Sequence, residues 1–168
     1  HLTMKSQLAE PLNKRELKEP MQIVFAGSLY SGGEEALIKF IRVLNSELQL
    51  LNMPIAHWTI IGNWSPELIS KVDKITDCSF LGVIESNEME QKILKADFAC
   101  SYVSPKLNYA INTKIIEAAA LRVPIILLAK QGVVSNFIIR NNLGIHVNFQ
   151  DIYSQPIIEW YNKMREPG

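Results

Sequence analysis

Apolar residues follow two rhythms along the chain: short apolar-rich runs of strand length, and longer stretches repeating every three to four positions. The runs are Met21 to Ala26, Ile55 to Ile61, Cys78 to Gly82, Asp97 to Tyr102, Ile125 to Ala129 and Gly144 to Val147. Ile125 to Ala129 is unbroken, as expected of a parallel strand covered on both faces. Between them lie helical patterns. Ala36, Leu37, Phe40, Ile41, Leu44 and Leu48 mark the inward face of a helix running to about Leu51, with Ser31 and Glu34 spaced as a capping box. Ser65-Pro66-Glu67 is a strong helix start: a cap, a proline at the first position and an acid in the first turn. Further helices are expected over Asn87 to about Ala96, Asn112 to Val123, Gly132 to Asn141 and Asp151 to about Arg165. In that last helix Trp160 and Tyr161 read as packing residues. The alternation predicts an α/β protein: a doubly wound six-stranded parallel sheet, Rossmann-like, in the order 3-2-1-4-5-6 with right-handed crossovers. No internal repeat or low-complexity segment interrupts it.

The stretch from Asn112 to Ala129 organises the rest. Asn112 can cap a helix with its side-chain oxygen, and Ile115, Ile116, Ala119 and Ala120 are expected on one apolar face. Pro124 lacks an N–H and disfavours helix in the residue before it, so the helix should stop by Val123. Lys114 and Glu117, three apart, share one side near the helix N-terminus, a place that favours anions. Spacing alone makes them a solvated ion pair.

Composition changes the picture little. At 168 residues the chain suits one domain, and its apolar runs are too short to cross a bilayer. Seventeen basic and seventeen acidic residues balance, which gives no electrostatic case for nucleic acid or an anionic membrane. Cys78 and Cys100 fall in strand patterns without metal-ligand spacing, as for two core thiols in a reducing cytoplasm. His57 and His146 also lie in strands with no partner motif, and read as structural or partly exposed. The polar N-terminus shows no signal-peptide pattern; residues 1–20 read as a tag remnant and interdomain linker, ahead of one domain over 21–168.

Two loops at strand ends could carry chemistry. Gly27 to Gly33 joins a strand to a helix, where first-turn N–H groups can cradle phosphate, although the spacing is neither Gly-x-Gly-x-x-Gly nor a Walker A loop. A plain tight turn explains those glycines too. The segment from Val103 to Ile111, with Lys106, Asn108 and Tyr109, occupies a position where doubly wound proteins contact ligands.

The ordered set of landmarks resembles the C-terminal, donor-binding half of GT-B-fold glycosyltransferases of the group 1 type. The pieces are Phe25-Ala-Gly27-Ser-Leu, Thr59-Ile-Ile-Gly62-Asn63, Phe80-Leu-Gly82-Val83, Lys114-x-x-Glu117 followed by Pro124-Ile-Ile, and Gly132 to Ile138 with Asn142-Leu-Gly144. The resemblance implies that Glu117 accepts hydrogen bonds from the ribose of a nucleotide-diphosphate sugar, and that Lys114 meets the diphosphate. It also implies nucleotide contacts at Gly27, Ser28, Gly32, Gly33, Gly62, Val83, Ile84, Asn112 and Thr113. Lys106, Asn108 and Tyr109 would form the sugar and diphosphate loop. The donor would be a substrate, with a uridine nucleotide the commonest in that family, and no cofactor or metal is implied. An N-terminal acceptor-binding domain of the same parent chain would be the partner; the parent would be cytoplasmic and able to dock on a membrane through that domain.

Three departures stand beside the likeness. Ser28 replaces an arginine common in the family, and Gly32 or Gly33 a lysine. Tyr109 replaces the first acid of Glu-x7-Glu, and Arg122 the helix-ending glycine. A non-catalytic accessory module of the same fold and a nucleotide-sugar epimerase half remain open. A dinucleotide dehydrogenase fits poorly, because the glycine fingerprint fails and Asn63 stands where an acid is needed.

Overall fold

The computed structural model of the chain describes residues 19–29, 32–107, 110–148, 151 and 155–165. The expected linker over 1–20 lies outside that description apart from its last two residues. Six parallel strands form one sheet: β1 (Gln22–Ala26), β2 (His57–Ile61), β3 (Asp77–Gly82), β4 (Phe98–Tyr102), β5 (Ile125–Leu128) and β6 (Gly144–Val147). Their order is β3-β2-β1-β4-β5-β6, as the sequence predicts. The described helices are α1 (Gly33–Leu50), α2 (Pro66–Asp73), α3 (Ser86–Leu94), α4 (Thr113–Ala120), α5 (Val133–Arg140) and α6 (Gln155–Arg165), with a 3-10 turn at Pro105–Leu107.

Because side chains alternate across a strand, the sheet builds two cores. Ile23, Phe25, Trp58, Ile60, Cys100 and Leu128 pack with α1, α2 and α6. Val24, Ala99, Ile125 and Leu127 pack with α3, α4 and α5. Leu37, Phe40, Ile41, Leu44 and Leu48 of α1 are completely buried, which fits the expected inward face. Each such side chain contributes roughly 1.5–3 kcal/mol. At the β2–β3 edge the second face carries polar groups instead. His57 Nδ1 lies 2.8 Å from Asp77 Oδ2, and its Nε2 lies 3.2 Å from Ser79 Oγ. His146 Nε2 is 2.7 Å from the Ala129 carbonyl oxygen, and both histidines are partly exposed.

Several local expectations need correction. The N-cap of α1 is Gly32, with no side-chain cap; the Glu34 carboxylate accepts instead from Lys71 Nζ at 2.9 Å, and Ser31 lies outside the described residues. α4 faces the core with Ile115 and Ala118, whereas Ile116 is 53 % exposed and Ala120 exposed. Successive helical residues are about 100° apart, so a short helix against a sheet buries one row, at i and i+3. α4 ends at Ala120, within the limit that Pro124 sets. The chain leaves through Arg122 at φ 59°, with Arg122 N–H donating to Ala119 O and Val123 N–H to Ala118 O. This is a Schellman close without its usual glycine. The C-terminal helix starts at Gln155 rather than Asp151, and Tyr161 is buried as a packing residue.

Candidate ligand site at the crossover between β1 and β4

All strands present their carboxyl ends along one edge, and the strand order reverses direction between β1 and β4. The loop after β1 leads to α1 on one face; the segment after β4 leads to α4 on the other. Doubly wound sheets open a crevice at such a point.

On the β1 side the backbone is tightly drawn. Gly27 N–H donates to Ile61 O at 2.9 Å, and Gly62 N–H donates to Gly82 O at 2.9 Å, so the ladder runs one rung past the strands. Gly62, at φ 142°, lies so near Gly27 that a Cβ there would sit 2.6 Å from the Gly27 carbonyl oxygen. That oxygen also accepts from Trp64 Nε1 at 3.0 Å. Ser28 is exposed. Gly33, the first residue of α1, is buried under Tyr102, whose ring carbons lie 2.8 Å from where a Cβ would be. After β3, Val83 is 80 % exposed and Ile84 half-buried.

On the β4 side the Asn112 side-chain oxygen accepts from Ile115 N–H at 3.0 Å, the cap that the sequence predicts. Thr113 is exposed. Lys114 Nζ lies 3.7 Å from Glu117 Oε2 and 3.4 Å from Met89 Sδ of α3. The pair is about a third to a half exposed, so it is weakly held and screened. Lys106 is exposed on the 3-10 turn, its N–H donating to Ser104 Oγ at 3.4 Å. Asn108 and Tyr109 lie outside the described residues.

The structure thus brings Gly27 and Gly62 together, and groups Asn112, Lys114 and Glu117 on the first turns of α4. It adds Tyr102, a residue that sequence reasoning took only as the end of a strand. Burial raises the Tyr102 phenol above its ordinary pKa, and a hydrogen bond with Ser104 opposes that shift. Among the described residues, no three His, Cys, Asp or Glu side chains cluster to hold a metal. No described helix is long and apolar enough to cross a membrane.

No family model matches the sequence, and no curated protein matches it. Solved structures do. WaaG, a glycosyltransferase involved in lipopolysaccharide biosynthesis, superposes with a TM-score of 0.58 at 14 % identity, over 98 % of this chain and 42 % of that one. The N-terminal domain of Candida albicans trehalose-6-phosphate phosphatase superposes with a TM-score of 0.54 at 13 % identity, over 100 % of this chain and 38 % of that one. The fold is glycosyltransferase-like. The chain spans about two-fifths of the length of each of these two proteins.

Proposed function

We propose that the chain is the donor-binding part of a glycosyltransferase, taking a nucleotide-diphosphate sugar at the β1–β4 crossover. The observation that carries this reading is the first turns of α4. A capped helix N-terminus at the crossover carries a cation and a carboxylate on one side, both reachable from solvent. The likeness of fold to WaaG supports it.

In this reading Glu117 accepts hydrogen bonds from two ribose hydroxyls, and a carboxylate acceptor makes each one charge-assisted. Lys114 turns from Met89 Sδ and Glu117 toward the diphosphate. Both of its present partners hold it loosely, a thioether being a weak acceptor and the carboxylate lying 3.7 Å away. The lysine and the helix dipole then offset charge on the departing diphosphate. An acceptor site and any catalytic base would belong to a domain of the parent chain outside this sequence, so the 168-residue chain alone should not turn over.

Calorimetric titration with UDP, GDP, ADP and NAD, repeated on Glu117→Ala, tests the reading. One nucleoside diphosphate should bind, and the substitution should weaken it about tenfold, or about 1.4 kcal/mol, the worth of one charge-assisted bond. Equal binding by both proteins would refute the ribose role. A second reading, a non-catalytic module of the same fold, is favoured by one observation. The first turn of α1 holds Glu34 and Glu35, where a phosphate cradle would want cations. Sugar transfer by the full-length parent would discard it.

A further inference from the structure

His57 opens β2 and Asp77 opens β3, at the amino end of the sheet and away from the crossover edge. The parallel register sets His57 opposite Asp77 and Thr59 opposite Ser79. Alternation along β3 puts Asp77 and Ser79 on one face, where both are exposed and His57 is half-buried. The imidazole bridges the two: Nδ1 lies 2.8 Å from Asp77 Oδ2 and Nε2 lies 3.2 Å from Ser79 Oγ. Chemistry assigns the protons. A carboxylate can only accept, so Nδ1 carries the hydrogen; in the neutral ring Nε2 is then an acceptor, and the Ser79 hydroxyl donates to it. A hydroxyl on a base, with the base oriented by a third group, is the arrangement of an activated nucleophile. Stability gives little reason for it, because Asp77 is 64 % exposed and such ion pairs contribute little.

We propose that Ser79 is a nucleophile with His57 as its general base and Asp77 as a positioning residue, and that it takes acyl groups from small activated esters. Ser79 Oγ attacks the ester carbonyl carbon while its proton passes to His57 Nε2. The bond from that carbon to the leaving oxygen then breaks, and Nε2 returns the proton to the departing alcohol. An ester of Ser79 is left, with nothing oxidised or reduced. Asp77 holds the Nδ1 hydrogen throughout, which keeps Nε2 free to accept and stabilises the imidazolium. Exposure sets the substrate class: a site open to solvent gives the leaving group little help, so the ester must bring a good one, as a phenyl ester does. The three residues lie toward the other end of β2 and β3 from Gly62 and Val83, so nothing here rests on the donor-site reading.

An alkyl fluorophosphonate is the probe, because its serine adduct does not hydrolyse during the measurement. Oγ bonds to phosphorus as fluoride leaves, and the hydroxyl proton passes through His57 to solvent. The native chain is labelled, and the rate at each serine is read by mass spectrometry of its peptides. Ser46, an exposed serine of α1, is the internal reference. Ser79 should react at least about tenfold faster than Ser46, and His57→Gln should slow Ser79 by about tenfold or more, since a positioned base contributes on the order of 100-fold. A smaller difference in either comparison overturns the proposal. Asp77→Asn, at an exposed position, stands in if the His57 variant does not fold. Its amide can donate to Nδ1 and move the ring hydrogen to Nε2, so Ser79 should again slow by about tenfold, and Asp77→Glu should recover the rate. Equal rates in the native chain and Asp77→Asn would remove Asp77 from the proposal's chemistry and overturn its positioning role.

Discussion

The carbonyl oxygen of Gly27 lies 2.6 Å from the point that a Cβ on residue 62 would occupy. The ends of β1 and β2 are pressed together there, and Gly62 sits at φ 142°, a region closed to L side chains. Gly62→Ala therefore meets a backbone clash and a forbidden torsion at once. It should cost on the order of 2 kcal/mol or more by urea denaturation. A loss within experimental error would mean that the strand ends can part.

Arg122 closes α4 in the left-handed conformation at φ 59°. Arg122→Gly removes the Cβ strain while keeping both Schellman hydrogen bonds, and should stabilise the chain by about 0.5–1 kcal/mol. For a domain of this size that is a rise in Tm of about 1–4 °C. Asn52 and Asn142 occupy the same position after α1 and α5, at φ 56° and 52°. Asparagine tolerates that conformation better, so glycine there should gain less.

Asn45 is a polar residue buried on the apolar side of α1, and it ties three elements together. Its amide donates to Thr76 Oγ1 at 3.0 Å and Ile75 O at 3.3 Å, and its oxygen accepts from Ala56 N–H at 3.2 Å. Asn45→Leu removes all three bonds and strands the Ala56 N–H in the core, while Thr76 Oγ1 still donates to Ala56 O at 3.0 Å. The expected loss is about 2–3 kcal/mol, the penalty of stranding buried polar groups rather than of one hydrogen bond.

The thiols should be inert in the folded chain and stabilising near neutral pH. Burial, with the hydrogen bond to Asp73 adding to it, pushes Cys78 up to about 12, and burial alone raises Cys100. A thiol whose folded pKa exceeds its unfolded value contributes stability that is fully present below the unfolded value, near 8.5. That contribution is lost as pH rises through the folded value. Stability measured from pH 8 to pH 11 should therefore fall, and less so in Cys78→Ala. Native-state alkylation at pH 8 should be slow at both sites and fast after unfolding. Rapid native labelling of Cys78 would contradict its environment.

Strand order and helix placement were legible because buried parallel strands write themselves as apolar-rich runs, Ile125 to Leu128 without a break and Phe98 to Tyr102 with only Ser101 inside it. The Asn112 and Ser65 caps were legible because capping is local chemistry between residues three apart. What the chain does across space was not. Nothing in the spacing says that Asn45 meets Thr76, or that Tyr102 meets Gly33, since each contact joins different elements. Ile116 misled for a related reason: an apolar residue one step off the buried row reads like its neighbour until the sheet chooses a face. Lys114 and Glu117 were legible as a pair, and their geometry is that of an exposed ion pair. Their proposed role depends on a ligand.

The direct test is a cycle between ligand and side chain. UDP and its 2′,3′-dideoxyribose analogue are titrated into the native chain and into Glu117→Ala, whose exposed substitution should change stability by less than about 0.5 kcal/mol. If Glu117 reads the ribose, removing the hydroxyls costs about tenfold in the native chain and nothing further in the variant, because the two changes delete the same bonds. If the analogue loses the same factor in both proteins, the ribose is not read from α4.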